Sequence, residues 1–118
     1  MSSEGVVPAL EGATTKVYKT VGNVRLHLYM FQPAGHKRGD NRPAIVFFHG
    51  GAWRGGTPRQ FEEHCKHFSS RDMVAITVEY RLTSRHGVTP FECVADAKSA
   101  IRWVRSHAGE LGVDPNRI

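Results

Sequence analysis

Residues 44–56, AIVFFHGGAWRGG, indicate the fold class of this protein. Residues 44–48 are continuously apolar rather than alternating, which is typical of a strand covered on both faces in a parallel sheet. Four glycines then follow within seven residues, at positions 50, 51, 55 and 56. Glycines let a backbone approach a ligand closely and leave amide N–H groups that neither sheet nor helix uses. The stretch therefore predicts a strand followed by a turn that binds negative charge.

A helix and a second apolar strand come after the turn. Thr57 can cap the helix, Pro58 loses no donor that the first turn needs, and Gln60 can close a capping box. The buried face of this helix is predicted to hold Phe61, Cys65 and Phe68. Residues 73–80, MVAITVEY, then form another continuously apolar run and predict a second buried strand.

A second helix opens with the same signature at Thr89-Pro90-Phe91-Glu92. Its apolar side chains recur at intervals of three and four, and they predict a buried face that holds Val94, Ala97, Ile101, Val104 and Ala108. Gly112 and Asp114-Pro115 end the pattern, and Arg117-Ile118 resembles the first step into another strand. Strands and helices that alternate at these lengths indicate a layered α/β sheet.

The sequence before residue 44 predicts an arm, a hairpin and a turn-rich segment over 33–43. Residues 17–20 and 24–31 are predicted to form two antiparallel strands joined at Gly22-Asn23, at the edge of the sheet. The second strand alternates, with Val24, Leu26, Leu28 and Met30 on one face and Arg25, His27 and Tyr29 on the other. Residues 1–14 are expected to be a flexible arm, which leaves 15–118 for the folded unit.

Composition and charge argue against several classes of protein. The chain has 118 residues, the length of a single domain. Hydrophobic residues make up 40% of it, which favours a packed core over a disordered chain. No run approaches the roughly 18 apolar residues of a membrane span, and no secretory signal pattern opens the chain. The net charge is +5, but the cations are spread along the chain, so we expect no nucleic-acid partner and no membrane partner. A cytoplasmic location is expected, or secretion if the true start lies upstream.

Cysteine and histidine spacing predicts neither a disulfide framework nor a metal site. Cys65 and Cys93 have no second pair, so both are expected to be reduced, half-buried helix residues. His64 and His67 lie three residues apart on the first helix, but HExxH is absent and no further ligand is placed by sequence. We therefore expect His64 and His67 to lie on a solvent-exposed helix face, and we expect no metal and no cofactor.

Two ligands fit the glycine turn: a phosphate, or the oxyanion of a tetrahedral intermediate. Gly50, Gly55, Gly56 and Thr57 match the spacing G-x-x-x-x-G-K-T, except that Gly56 stands where the lysine belongs. The missing lysine, together with the bulk of Trp53 inside the turn, favours the oxyanion.

Several segments in order resemble the α/β-hydrolase esterases. HGGAW at 49–53 is similar to their HGG-type oxyanion-hole motif. VEYRL at 78–82 and VADAKSAIRWVRSHAGELGVDPNRI at 94–118 are similar to segments of the branch that contains hormone-sensitive-lipase-like, acetyl-xylan and feruloyl esterases. The resemblance covers roughly residues 24–118.

The resemblance implies a three-layer α/β/α fold with a mostly parallel sheet after an antiparallel hairpin. It also implies the N-terminal part of a serine carboxylic-ester hydrolase that acts on small-molecule or carbohydrate esters with short acyl groups, such as acetyl or feruloyl esters. In this family the G-x-S-x-G elbow with the nucleophile comes first, then the acid and the histidine. All three would lie beyond Ile118, so the partial domain would end before the elbow and the 118-residue chain alone should be inactive.

The family pattern assigns roles to residues of the turn. Backbone N–H groups of Gly51 and Ala52 would be the oxyanion donors, and His49, Gly50 and Trp53 would support the turn, with Trp53 also able to line the acyl pocket. Ala52 replaces a commoner third glycine, so positive φ would be costlier there. A structural ion pair between Arg81 and Asp96, joining a strand end to the second helix, and a packing role for Trp103 are also implied.

The same residues are compatible with other functions. Arylformamidases also carry an HGG-x-W turn, which makes an amide hydrolase the nearest alternative. From a different class, the chain could be a non-catalytic binding module or a phosphate-binding α/β domain.

Overall fold

A β-hairpin opens the described part of the molecule. The computed structural model describes residues 10–52 and 55–118. β1 (Thr14–Val21) and β2 (Val24–Phe31) pair antiparallel, as predicted, and Gly22 turns the chain between them with φ of 58°. Leu10 is buried and Thr14 already belongs to β1, so the described structure includes residues that the sequence had assigned to the arm.

The sheet is mixed and places the two apolar strands side by side. β3 (Ala44–Phe48) and β4 (Val74–Val78) are the strands predicted from the continuous apolar runs. Within the described residues, four strands lie in the order β1-β2-β4-β3. β2 pairs antiparallel with both of its neighbours, whereas β3 and β4 run parallel.

Helices cover both faces of this sheet, which confirms the three-layer α/β/α arrangement. A 3₁₀ turn (Pro58–Phe61) leads into α1 (Glu62–Ser69), which packs on one face through Cys65. α2 (Thr83–His86) is a single turn, and α3 (Pro90–Ser106) with α4 (Ala108–Leu111) covers the opposite face. No helix in residues 10–52 and 55–118 combines the length and apolar character that crossing a membrane requires.

β2 is buried on both faces, although its sequence alternates between apolar and more polar residues. Leu26 and Leu28 face the α3 layer as expected, but His27, Tyr29 and Phe31 on the other face are buried too. The alternation set an apolar face against a more polar one, but both are buried because β2 is an inner strand, paired on both sides and covered by α1 on the face that Tyr29 and Phe31 share.

α3 begins as predicted, but its predicted inward face is only partly correct: Val104 is buried, and so is Ala108, which belongs to α4. Its capping box is formed, with the Glu92 carboxylate accepting a hydrogen bond from the Thr89 N–H. Along its inward face lie Cys93, Asp96, Ala100 and Val104. Val94 is exposed instead, and Ala97 and Ile101 are only half-buried. The sequence prediction assumed that the buried face is apolar throughout, and the buried carboxylate of Asp96 breaks that assumption.

Both cysteines are free thiols, and both are more buried than expected. Cys65 is fully inaccessible and Cys93 nearly so. Burial raises the pKa of the Cys65 thiol to about 12, so it stays protonated at neutral pH.

β3 is the outermost strand among the described residues, and its side chains are therefore less covered than a central strand's. Residues 45–48 are half-buried, although continuous apolar character predicted full cover. The carbonyl of Arg117 accepts a hydrogen bond of 2.9 Å from the Ala44 N–H, and Val113 bridges to Arg42. The end of the chain thus approaches the start of this edge.

We expect the isolated 118-residue chain to bind a hydrophobic dye and to self-associate. The edge of β3 has hydrogen-bonding groups for a further strand, and on α3 nearby Phe91 is 86% and Val94 44% exposed. Phe91→Lys with Val94→Lys should reduce dye fluorescence and the mass measured by light scattering, whereas Ser106→Lys on the same helix should not. A monomeric parent chain with a sharp two-state melt would contradict this expectation.

Candidate functional site

The glycine turn lies at the carboxyl end of β3, where a pocket opens on the surface. The pocket has a volume of about 350 Å³, and its walls include Phe48, Gly50, Ala52, Tyr80 and Cys93. β3 and β4 are parallel, so their carboxyl ends lie at the same edge of the sheet and bring the turn next to Tyr80. Ligands of open α/β sheets bind at this edge.

The backbone of the turn is left-handed at three described positions. Gly51 has φ of 128° and Gly56 has φ of 86°. A Cβ atom at Gly51 would overlap the Gly55 carbonyl, and one at Gly56 would overlap the Gly50 carbonyl. Ala52 has φ of 54°, a conformation that costs an L-residue about 1–2 kcal/mol. The turn is therefore tight enough to require glycine, and it holds Ala52 under strain.

Two successive amides of the turn are free to bind a ligand. The N–H groups of Gly51 and Ala52 donate no hydrogen bond to any residue within 10–52 or 55–118, and both residues are exposed. The preceding amide is different, because the Gly50 N–H donates to Oε1 of Gln60 at 2.8 Å. A pair of adjacent, unused amides is the arrangement that accepts a developing negative charge.

Three successive carbonyls of the turn, those of His49, Gly50 and Gly51, accept hydrogen bonds from groups of the protein. Tyr80 Oη donates to the His49 carbonyl at 2.5 Å, and His49 Nδ1 lies 2.9 Å from the Gly50 carbonyl. The Gly51 carbonyl accepts from the Gly55 N–H at 3.3 Å. Carbonyl and N–H of a trans peptide point in opposite directions, so these bonds direct the amides of Gly51 and Ala52 away from the groups that hold the turn.

His49 is a buried, neutral support of the turn. The residue is 3% exposed, and its ring stacks on Tyr80 with centroids 4.5 Å apart. A carbonyl can only accept, so Nδ1 carries the proton that is donated to Gly50. Burial lowers the pKa of His49, and the ring is therefore uncharged at neutral pH.

The structure brings Arg81 and Asp96 together and adds a third charge to them. Arg81 Nε and Nη2 each donate to the Asp96 carboxylate at 2.9 Å, and so does the Arg81 backbone N–H. Lys19 Nζ of β1 lies 2.9 Å from the same carboxylate, which has no solvent exposure. Burial alone raises the pKa of Asp96, but the hydrogen bonds from Arg81 and Lys19 outweigh it, and the pKa lies below its ordinary value.

Other residues considered from the sequence lie elsewhere. His64 packs against the rings of Phe47 and Phe61, and no group of three metal-ligating side chains occurs among the residues the structure describes. Trp103 stacks on His107 at 4.0 Å. Trp53 lies outside the described residues.

Gln60 and Tyr80 were missed as site residues. Gln60 was predicted to close a capping box, but its side chain turns to Gly50, and Thr57 alone caps the 3₁₀ turn by accepting from the Arg59 N–H. Tyr80 ended an apolar run and was counted as part of a strand. A Tyr at the carboxyl end of one of two parallel strands, beside a glycine turn on the other, is the signal that would have pointed to it.

Comparison with known proteins shows that this chain is similar to esterases. Residues 28–118 match the BD-FAE family model. The carboxylesterase NlhH of Mycobacterium tuberculosis is 37% identical over 81 residues, which cover 67% of this chain and 24% of NlhH. An arylesterase of Saccharolobus solfataricus is 35% identical over 79 residues, which cover 66% of this chain and 25% of the arylesterase.

A solved structure shows the same fold at higher identity. The thermophilic esterase of the planctomycete Thermogutta terrifontis superposes with a TM-score of 0.93 at 58% identity, over 94% of this chain and 40% of that one. Other structures of that esterase hold propionate or butyrate. The chain thus spans about a quarter of the curated relatives it matches and about two fifths of this solved neighbour.

We expect Ala52→Gly to stabilise the turn. The test protein is a chimera in which this chain replaces the matching segment of the Thermogutta esterase. Relief of about 1–2 kcal/mol of strain outweighs the extra backbone entropy of glycine, about 0.5–1 kcal/mol, so the free energy of unfolding should rise slightly. Ala95→Gly is the matched control, because Ala95 is an exposed residue inside α3, where the same change should cost about 1 kcal/mol. Chemical denaturation measures both, and equal losses in the two variants would contradict the strain at Ala52.

We expect Asp96→Asn to lower the free energy of unfolding of the chimera by about 3–5 kcal/mol at pH 7, because Arg81 and Lys19 lose their buried counter-charge. The pKa of Asp96 is depressed in the folded state, so its contribution is present above the unfolded pKa of about 4 and is lost as the pH falls through the folded pKa. The difference between parent and variant should therefore shrink in acid. Glu63→Gln, which touches only an exposed pair with Lys66, should change nothing measurable. A pH-independent difference would contradict the role of the charge.

Proposed function

The chain belongs to the BD-FAE family of α/β-hydrolase esterases, and on that premise we propose that the protein is a serine carboxylic-ester hydrolase in which residues 49–52 form the oxyanion turn. The carboxylesterase and esterase relatives support this reaction class. The observation that carries the proposal is the pair of adjacent amides at Gly51 and Ala52, which donate to none of the described residues, lie beside the pocket and are directed away from the groups that hold the turn.

The turn acts on the charge that develops during acyl transfer. As a nucleophile attacks the ester carbonyl, the carbonyl oxygen becomes negative, and a preset amide aimed at it is worth about 2.7–4 kcal/mol. Gly51 and Ala52 supply two such donors, and His49 holds the peptide between Gly50 and Gly51. Because His49 is buried and neutral, it adds no positive charge that would bind the product carboxylate.

The remaining catalytic groups come from outside these residues. The 118 residues contain no G-x-S-x-G, the turn that carries the nucleophilic serine in this fold. The nucleophile, the acid and the catalytic histidine would come from the part of the relatives' length that the chain does not span. Residues 1–118 contribute stabilisation of the oxyanion and one wall of the pocket.

The substrate class that fits best is an ester of a short acyl group with a small alcohol. The pocket walls beside the amides are mostly apolar and include Phe48 and Val94, which suit a short hydrocarbon chain. The propionate and butyrate held by the Thermogutta esterase are acids of that size.

The test is ester hydrolysis by the chimera with the Thermogutta esterase. We expect turnover of p-nitrophenyl butyrate by the chimera, and none above buffer by the 118-residue chain alone. Gly51→Ala should lower kcat by about 100-fold or more, because the added Cβ overlaps the Gly55 carbonyl and displaces the donors.

Gly35→Ala is the matched control for this variant. Gly35 also has positive φ, of 73°, but a Cβ there meets nothing within 4 Å and the residue lies in a surface turn. The Gly35→Ala chimera should be less stable than the parent chimera but keep its kcat. A Gly51→Ala chimera with the parent kcat would contradict the assignment of the oxyanion turn.

A further inference from the structure

We propose that Tyr80 and Gln60 are positioning residues of the esterase, because they hold one peptide unit of the oxyanion turn from its two ends. This inference rests on the proposed function and adds to it the residues that aim the donors. Neither side chain is a donor to the oxyanion itself.

The two side chains bond to the same peptide, the one that joins His49 to Gly50. Tyr80 Oη donates to its carbonyl at 2.5 Å, and Gln60 Oε1 accepts from its N–H at 2.8 Å. A peptide unit is planar, and its carbonyl and N–H point in opposite directions. Two bonds at opposite ends therefore fix the rotation of the whole plane.

Glycines make this restraint necessary. Gly50 and Gly51 have wide backbone freedom, so the planes around them can rotate at low cost. Among contacts with the residues that the structure describes, the next two planes are held only at their carbonyls, by His49 Nδ1 and by the Gly55 N–H. These are the planes whose N–H groups belong to Gly51 and Ala52. A rotation of the His49–Gly50 peptide plane would therefore change the direction of both donor N–H groups.

Tyr80 acts on the turn a second time through its ring. The ring stacks on His49 at 4.5 Å and so fixes the imidazole that holds the Gly50 carbonyl. Tyr80 is 6% exposed, and its bond to the turn is shielded from water. Burial also raises the pKa of Tyr80, so the hydroxyl remains a donor across the working pH range. Gln60 is exposed, so water can replace part of its contribution.

The first experiment measures hydrolysis in the chimera with the Thermogutta esterase. Tyr80→Phe removes the hydroxyl and keeps the ring; it should lower kcat about tenfold or more, with KM changed less than about twofold, since misaimed donors weaken the transition state and not substrate binding. Gln60→Met, of similar size but without an acceptor, should lower kcat by a smaller factor. The inhibition constant of an alkyl trifluoromethyl ketone, which forms a tetrahedral oxyanion, should rise by the factor that kcat/KM falls.

Two variants serve as controls. Tyr29→Phe removes a buried hydroxyl that has no partner among the described residues. Gly35→Ala places a side chain at a positive φ of 73° in a surface turn, so it should lower Tm. Both controls should keep the parent kcat. A Tyr80→Phe variant that loses Tm as Gly35→Ala does but keeps kcat would overturn the proposal.

A second readout does not need hydrolysis. Hydrogen exchange of the Gly50 N–H, followed by NMR with ¹⁵N-glycine, should become about fivefold faster in Tyr80→Phe, although Tyr80 does not touch that N–H. Unchanged exchange at Gly50 would overturn the coupling between the two ends of the peptide. A parent chimera without esterase activity counts against the proposed function alone, because the exchange result still decides whether Tyr80 positions the turn.

Discussion

The parallel pairing of β3 with β4 is the constraint on which the rest of the site depends. Phe48 lies opposite Val78, so the two strands end together, and the residues that follow them, the glycine turn and Tyr80, meet without a long loop. An antiparallel arrangement would have placed these ends at opposite edges of the sheet. The free amides, the stacked rings of His49 and Tyr80 and the pocket are all consequences of this one register.

A buried charge links the three parts of the molecule that surround this pair. Asp96 on α3 binds Lys19 of the hairpin and Arg81, the residue after Tyr80. A carboxylate without exposure is tolerated only with such partners, so the hairpin, the end of β4 and α3 are required to meet at one point. The backbone next to Tyr80 is thereby fixed, since the Arg81 N–H donates to the same carboxylate.

Local chemistry predicted the elements well, and long-range contacts account for the differences. The hairpin turn at Gly22, the capping box of Thr89 with Glu92 and the strand before the glycine turn follow from neighbouring residues and were correct. The predicted inward face of α3 differed from the observed one because a pattern of apolar residues does not count a buried carboxylate such as Asp96. Gln60 and Tyr80 reach backbone groups 10 and 31 residues away, and no local pattern encodes such bonds.

The strand order has a consequence for synthesis of the chain. β4 lies between β2 and β3, yet it is made after both. The apolar segment of β3 therefore has no partner until about 30 further residues have been added, which at about 5–20 residues per second takes about 2–6 seconds. During that interval the nascent chain exposes a hydrophobic β-segment while its hairpin is already able to form. A chaperone that binds short apolar segments would find its substrate there, at residues 44–48.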